Sequence, residues 1–151
     1  MFLRFATEGD LNGILEIERL SFPTGRQWDR SDFQNALRDL FLVSGEKEIS
    51  GFLIVCCWEK ERRAAILRIA VHPDYRGRGI ATILIEEAIE KLREMDIREV
   101  ELDVDVVKRG AIQLYEALGF KIARGIPMDE NNTMSNDNGS YYMMKMDIDQ
   151  P

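Results

Sequence analysis

The chain has 151 residues, of which 45% are hydrophobic and 31% charged, with 4 Pro and 11 Gly. That length suits about one domain of ~150 residues, and folding at this size hides roughly 68–70% of the unfolded surface, so no disulfide or metal staple is required. Twenty Lys and Arg against 27 Asp and Glu leave a net charge of −7, which argues against nucleic acid or an anionic membrane as a partner.

A single domain spanning 1–151 is therefore expected, with its oligomeric state left open. Its longest apolar run, Phe52 to Trp58, is far shorter than the ~20 residues that cross a bilayer. The opening Met1-Phe2-Leu3-Arg4-Phe5 lacks the ordered regions of a secretion signal, so a cytoplasmic location is expected. Cys56 and Cys57 are adjacent, and strand neighbours point to opposite faces. We expect two small buried hydrophobes there and no disulfide. With one histidine in the chain, no metal site is expected.

Phe2 to Phe5 alternates weakly, as a short strand. Thr7 is a plausible N-cap, with Glu8 and Asp10 in the first turn. A helix should follow to about Leu20, carried by Leu11, Ile14, Leu15 and Ile17, until Phe22-Pro23-Thr24-Gly25 breaks the pattern. A second helix is expected from Ser31, whose spacing to Gln34 matches a capping box, burying Phe33, Ala36, Leu37 and Leu40. Phe41–Ser44, Ile49–Glu59 and Ala64–Val71 read as strands with short connections, hence an antiparallel meander. The charge cluster Glu59 to Arg63 reads as a solvated hairpin tip.

From Ile80 to Met95, Ile80, Leu84, Ala88, Leu92 and Met95 share one helical face, with Glu87/Lys91 and Glu94/Arg98 as i,i+4 pairs outside it. Val100, Leu102, Val104 and Val106 then alternate with Glu101, Asp103 and Asp105, as in a strand with one polar face. A helix carrying Ala111, Leu114, Tyr115 and Leu118 follows, and Gly119 stands where a left-handed cap belongs. Phe120–Ile126 starts another strand. Pro127 to Ser140 is acidic and Asn-rich, a mobile or substrate-facing segment, and Tyr141–Ile148 is a last strand. Met143, Met144 and Met146 should fill core or edge positions. The order βααβββαβαββ describes a mixed α/β domain.

Chemistry concentrates in Val71-His72-Pro73-Asp74-Tyr75-Arg76-Gly77-Arg78-Gly79-Ile80-Ala81, which links a strand to a long helix. Unpaired N–H groups of a first helical turn attract anions, and two glycines let a phosphate approach the backbone. Arg76 and Arg78 add positive charge. The same residues would also serve a plain tight turn. The spacing matches neither a P-loop nor a dinucleotide fingerprint. His72 has no evident partner and reads as a loop residue.

Arg76, Gly79 and Ala81 do resemble the acyl-CoA signature Gln/Arg-x-x-Gly-x-Gly/Ala of the GNAT superfamily of N-acetyltransferases. Ala111 to Phe120 is similar to that family's Ala-x-x-Leu-Tyr-x-x-x-Gly-Phe helix. The stretch from Arg4 through Ser21-Phe22-Pro23 and Trp28 to Leu37 resembles the RimI-like branch, which acetylates protein N-termini. The resemblance implies a mixed, mainly antiparallel sheet flanked by helices, with acetyl-CoA as co-substrate and an amine as acceptor.

By the same resemblance, the pantetheine arm pairs with Ile69, Ala70 and Val71, and the pyrophosphate rests on Arg76, Gly77, Arg78, Gly79, Ile80 and Ala81. A backbone N–H there could hold the thioester oxygen. Tyr115 stands where the family's general acid protonates the departing thiolate. Asp103 matches the branch's glutamate base, one methylene shorter; with Glu101 and Asp105 it could instead form an acidic edge that attracts a cationic amine. Two positions depart from the pattern. Lys108 replaces the usual helix-starting asparagine, and Arg68 stands where other members place a glutamate base. The implied acceptor is a protein or peptide α-amine. A small amine such as a polyamine or aminoglycoside is the alternative, as is an acyl-CoA-binding module without catalysis.

Overall fold

A computed structural model describes residues 2–126 and 140–148. Among these residues seven strands form one sheet, β1 (Leu3–Phe5), β2 (Leu40–Ser44), β3 (Gly51–Trp58), β4 (Arg63–Val71), β5 (Glu99–Asp105), β6 (Lys121–Ile126) and β7 (Tyr141–Asp147), in the order β1-β2-β3-β4-β5-β7-β6. The helices are α1 (Leu11–Ser21), α2 (Arg30–Ala36), α3 (Ile80–Glu94) and α4 (Arg109–Leu118). The expected element order and the antiparallel β2-β3-β4 meander are both found.

Two apolar clusters lie on opposite faces of the sheet. On one, Leu11, Ile14 and Ile17 of α1 and Phe33 of α2 pack on Phe41, Phe52, Ile54 and Ala70. Phe33 is the hub, with ring centroids 5.2 Å from Trp28 and 5.5 Å from Phe52. On the other, Ile80, Leu84, Ile85 and Ala88 of α3 and Ile112 and Tyr115 of α4 cover Leu42, Leu53, Ile66, Leu102 and Val104. Glu87 pairs with Lys91 on the outer face of α3, as expected, whereas Arg98 falls beyond the helix. The alternation in β5 sends Val100, Leu102 and Val104 into this core, so Glu101, Asp103 and Asp105 face the α1 side.

Several boundaries differ from the sequence expectation for identifiable reasons. A 3-10 turn, Glu8–Asp10, precedes α1, because the Asp10 carboxylate accepts from the Thr7 N–H at 2.8 Å and from both Arg4 nitrogens at 2.7 and 2.8 Å. α2 begins with Asp29 as N-cap, not Ser31: Asp29 and Asp32 exchange side-chain-to-backbone hydrogen bonds, both 2.9 Å. That reciprocal box satisfies the first-turn donors before Ser31 is reached. Leu40 accordingly belongs to β2, not to the helix. Cys56 and Cys57 are unbonded, but both are half-buried where full burial was expected, since they lie past the part of β3 that the helices cover. Met144 is buried and Met143 and Met146 are half-buried. The segment Pro127 to Ser140 lies outside the described residues except for Ser140, whose carbonyl accepts from Val106 N–H at 3.1 Å. Among the described residues no helix is long and apolar enough to cross a membrane.

Candidate active site

The site begins with a break in the sheet. β4 and β5 run parallel and pair only over Arg63↔Glu99, Ala64↔Val100 and Ala65↔Glu101. Just beyond, a register shift against Ile54/Val55 leaves Leu67 as an extra residue in β4. A bulge of this kind bends a strand and strengthens its twist. β4 therefore swings away from β5, while Ile69, Ala70 and Val71 stay paired on their other edge with Leu53, Phe52 and Gly51. The edge of Ile69–Val71 that faces β5 is left without a strand, so its N–H and C=O groups can receive an extended ligand.

That open edge leads into the glycine loop. Gly77 and Gly79 have φ of +79° and +78°, a region L side chains rarely adopt, and a Cβ at either would meet no protein atom within 4 Å. The space above the backbone is thus vacant while the turn itself demands glycine. Gly79 is the N-cap of α3 and no side chain caps the helix. The first-turn N–H groups consequently point outward unsatisfied, at the positive end of a 15-residue helix. A pantetheine-like amide on the strand edge, followed by a phosphate over the loop, fits this donor set.

The two arginines behave differently. Arg76 turns back on the protein, its Nε donating to Val71 O at 2.9 Å and its Nη2 to Ser21 Oγ at 3.3 Å, and so fastens the loop to the end of β4 and to α1. Arg78 stays exposed, stacked over Tyr75 at 5.2 Å, beside a groove of about 600 Å³ that also holds Lys47 and Ile80. His72 caps the Pro73–Tyr75 turn that precedes both: its Nδ1 accepts from Asp74 N–H at 3.1 Å and its ring meets Tyr75 edge-on at 5.8 Å. A loop role was expected of it.

Tyr115 and Asp103 approach the break from opposite faces. The Tyr115 ring is buried in the α3/α4 core, edge-on to Phe120 at 5.9 Å. Its hydroxyl makes no hydrogen bond among the described residues and is not sealed from solvent. Burial raises its pKa above the ordinary phenolic value, so it holds its proton at neutral pH. Asp103, on β5 past the last β4 partner, faces the α1 side. Its neighbours on that strand are occupied, Glu101 by Arg63 at 2.7 Å and Glu99 by Lys145 at 3.4 Å. Asp103 makes no salt bridge among the described residues, and its pKa is raised, chiefly by burial and then by Glu101, with Arg124 opposing.

Lys108 stands at the N-cap of α4 without a side-chain hydrogen bond. The turn is held instead by Asp105, whose carboxylate accepts from Val107 N–H at 3.0 Å and whose carbonyl accepts from Lys108 N–H at 3.0 Å. Sequence reasoning missed Glu18, which is 1% exposed and ion-paired to Arg68. The signal was present: Glu18 continues the apolar stripe Leu11, Ile14, and a charge in that register needs a buried partner.

Comparison with known proteins agrees with this geometry. The model of the acetyltransferase (GNAT) family matches residues 11–120. An uncharacterised N-acetyltransferase of Methanocaldococcus jannaschii is 35% identical over 138 residues, covering 79% of this chain and 60% of that protein. N-alpha-acetyltransferase 30 of Xenopus laevis is 42% identical over 125 residues, covering 79% of this chain and 45% of that protein. The chain thus spans about half to three-fifths of the length of these two relatives. The crystal structure of the ribosomal-protein-S18-alanine N-acetyltransferase from Escherichia coli superposes with a TM-score of 0.82, at 24% identity, over 99% of this chain and 95% of that one. The fold expected from the signature loop and the Tyr115 helix is therefore the fold observed, and the chain belongs to the GNAT acetyltransferase family.

Proposed function

We infer that the chain is a single-domain, acetyl-CoA-dependent N-acetyltransferase acting on a primary amine, with a protein or peptide N-terminal α-amine as acceptor. The observation that carries this reading is the separation of β4 from β5, which opens the Ile69–Val71 edge directly onto the uncapped start of α3.

In this reading Ile69, Ala70 and Val71 offer backbone groups to the pantetheine amides, and the N–H groups of Gly77 to Ala81 take the pyrophosphate. Arg76 holds that loop in place through Val71 and Ser21, and Arg78 adds charge at its rim. Acetyl-CoA supplies the acetyl group as a thioester. Asp103, without a salt bridge among the described residues and harder to ionise than an ordinary carboxylate, accepts a proton from the entering ammonium, directly or through one water. The amine nitrogen then bonds to the acetyl carbon as the carbon–sulfur bond breaks. Tyr115, on the opposite face, gives its proton to the leaving sulfur, and the second proton shed by the new amide nitrogen returns to the tyrosinate through solvent, restoring the hydroxyl. Acid and base on opposite faces suit this direct transfer, because amine and thioester then meet inside the break. The 42% identity of this chain to N-alpha-acetyltransferase 30 of Xenopus laevis over 125 residues supports the α-amine as acceptor, and a cytoplasmic location is part of the same reading.

The test is a transfer assay that reads released CoA thiol and product mass, with unblocked peptides, N-blocked peptides, polyamines and aminoglycosides as acceptors. Acetylation of unblocked peptides alone is expected. Preference for the polyamine would move the assignment to small amines, and tight acetyl-CoA binding with no transfer would make the chain a binding module.

A further inference from the structure

Arg68 lies on β4 just past the bulge, facing α1 and α2 like its neighbour Ala70. Its guanidinium is held on three sides. Nε lies 3.0 Å from each Glu18 oxygen, and Nη2 bonds to Glu18 Oε2 and donates to Arg26 O at 2.8 Å. The Phe22 ring centroid is 3.9 Å from its central carbon and that of Trp28 5.1 Å. Glu18 Oε2 also accepts from Trp28 N–H at 2.8 Å. One buried carboxylate and one guanidinium therefore clamp α1, the loop between α1 and α2, and β4 together.

The donor count of this clamp is incomplete. A guanidinium has five N–H donors, and those on Nε and Nη2 are engaged. Nη1 has no hydrogen-bond partner among the described residues, and no buried side-chain nitrogen or oxygen there lacks one, so Nη1 reaches solvent. It does so on the same face as Asp103, and from the other lip of the break. Two aromatic faces and a fork of hydrogen bonds fix its orientation before any ligand arrives, which removes most of the entropic cost of using it.

The electrostatics select what these donors can meet. Glu18 neutralises Arg68 and Arg63 neutralises Glu101, while Asp103, which has no salt bridge among the described residues, keeps the opposite lip negative. A carboxylate ligand would be repelled there, whereas a neutral carbonyl oxygen would not. Peptides carry such an oxygen a few ångströms from the α-amine, and polyamines carry none. Resting on the peptide reading above, we propose that Arg68 determines acceptor class, its Nη1 donating to a backbone carbonyl within the first two residues of a peptide whose α-amine points at Asp103.

The test crosses Arg68→Lys with carbonyl removal. Lys keeps the positive charge beside Glu18 but lacks the second arm of the fork. The acceptors are an unblocked alanine tetrapeptide and two analogues in which the first or second amide is a neutral E-alkene. A hydrogen bond from a charged donor predicts a loss in kcat/KM of about ten-fold or more for the wild type on one analogue. Arg68→Lys should lose as much on the intact peptide, mainly through KM, and less than about two-fold further on that analogue, with the KM for acetyl-CoA unchanged. Losses that multiply, or an Arg68→Lys enzyme as active as wild type on the intact peptide, would overturn the proposal. If Arg68→Lys does not fold, Glu18→Gln serves instead: it exposes the Arg68 charge, so a peptide with Asp second should gain several-fold over the alanine peptide, and no gain refutes the charge balance. Wild-type transfer to polyamines but to no peptide would defeat the acceptor reading itself; equal wild-type rates on all three peptides would defeat only the role of Arg68.

Discussion

Gly79→Glu separates a ligand cradle from a mere turn. The residue has φ of +78°, and a Cβ there meets nothing within 4 Å, so the fold suffers only the conformational cost of an L residue in that region, roughly 1–2 kcal/mol. For a chain of this size that lowers the melting temperature by roughly 2–8 °C. Binding should suffer far more. A side chain over the loop would deny a phosphate at least two backbone N–H groups, each hydrogen bond to a charged group contributing about 1.5–3 kcal/mol, and the added carboxylate repels the anion. The sum corresponds to a loss of at least about 100-fold in affinity. Calorimetric titration with acetyl-CoA, beside thermal melts of the same samples, measures both effects. Gly9→Ala is the control, since its Cβ would meet only Thr7 Oγ1 at an ordinary 3.7 Å and it lies in the turn before α1. A folded Gly79→Glu protein that binds within ten-fold of wild type would refute the cradle, and with it the path of the cofactor.

Tyr115→Phe should keep the fold and acetyl-CoA affinity, because the hydroxyl has no hydrogen bond to lose among the described residues, while kcat falls by about 10²-fold; full turnover would remove Tyr115 from the chemistry. If Asp103 is the base, kcat/KM falls as pH drops through its raised pKa, since the protonated carboxyl cannot accept a proton, and Asp103→Asn should abolish that acidic limb. The Asp10 carboxyl is shifted in the opposite direction. Arg4 hydrogen bonds, then Thr7, hold it below its ordinary value of 3.8, so its contribution to stability is complete above that pH and is lost as pH falls through the folded value. Arg4→Met should flatten that part of an acid-unfolding curve. The Cys57 thiol, pushed up to about 11 mainly by burial, is roughly 0.1% thiolate at pH 8 and should react with a disulfide reagent about 100-fold more slowly than an unperturbed cysteine.

What was legible in the sequence was what repeats locally. The polar face of β5 and the left-handed cap at Gly119, with φ of +112°, follow from spacing and from backbone sterics alone. So does the glycine loop before α3. Features created by pairing across the chain were not legible. Nothing local places β7 between β5 and β6, and nothing local announces that β4 carries an extra residue at Leu67, on which the whole opening depends. Arg68 could be seen to replace a glutamate, but not that a glutamate 50 positions earlier, Glu18, comes to meet it. Arg76 matched the signature motif, yet its side chain reaches Val71 and Ser21, so the motif residue also acts as a structural tie. The α2 start was misplaced because two overlapping segments offer capping chemistry, and the earlier one, Asp29 with Asp32, takes the helix.

The three-residue contact between β4 and β5 is also a seam. A sheet normally exposes raw edges only at its two margins, where they are a standing invitation to aggregation; this one carries another in its middle. A ligand laid along Ile69–Val71 would act as mortar, completing the sheet as a strand would. Binding selective for the native state at 100 times its Kd adds about 2.7 kcal/mol to stability, so on the proposed reading acetyl-CoA would set not only the rate of this protein but its lifetime. Starved of it, the chain should be more easily unzipped, first along the line where β4 leaves β5.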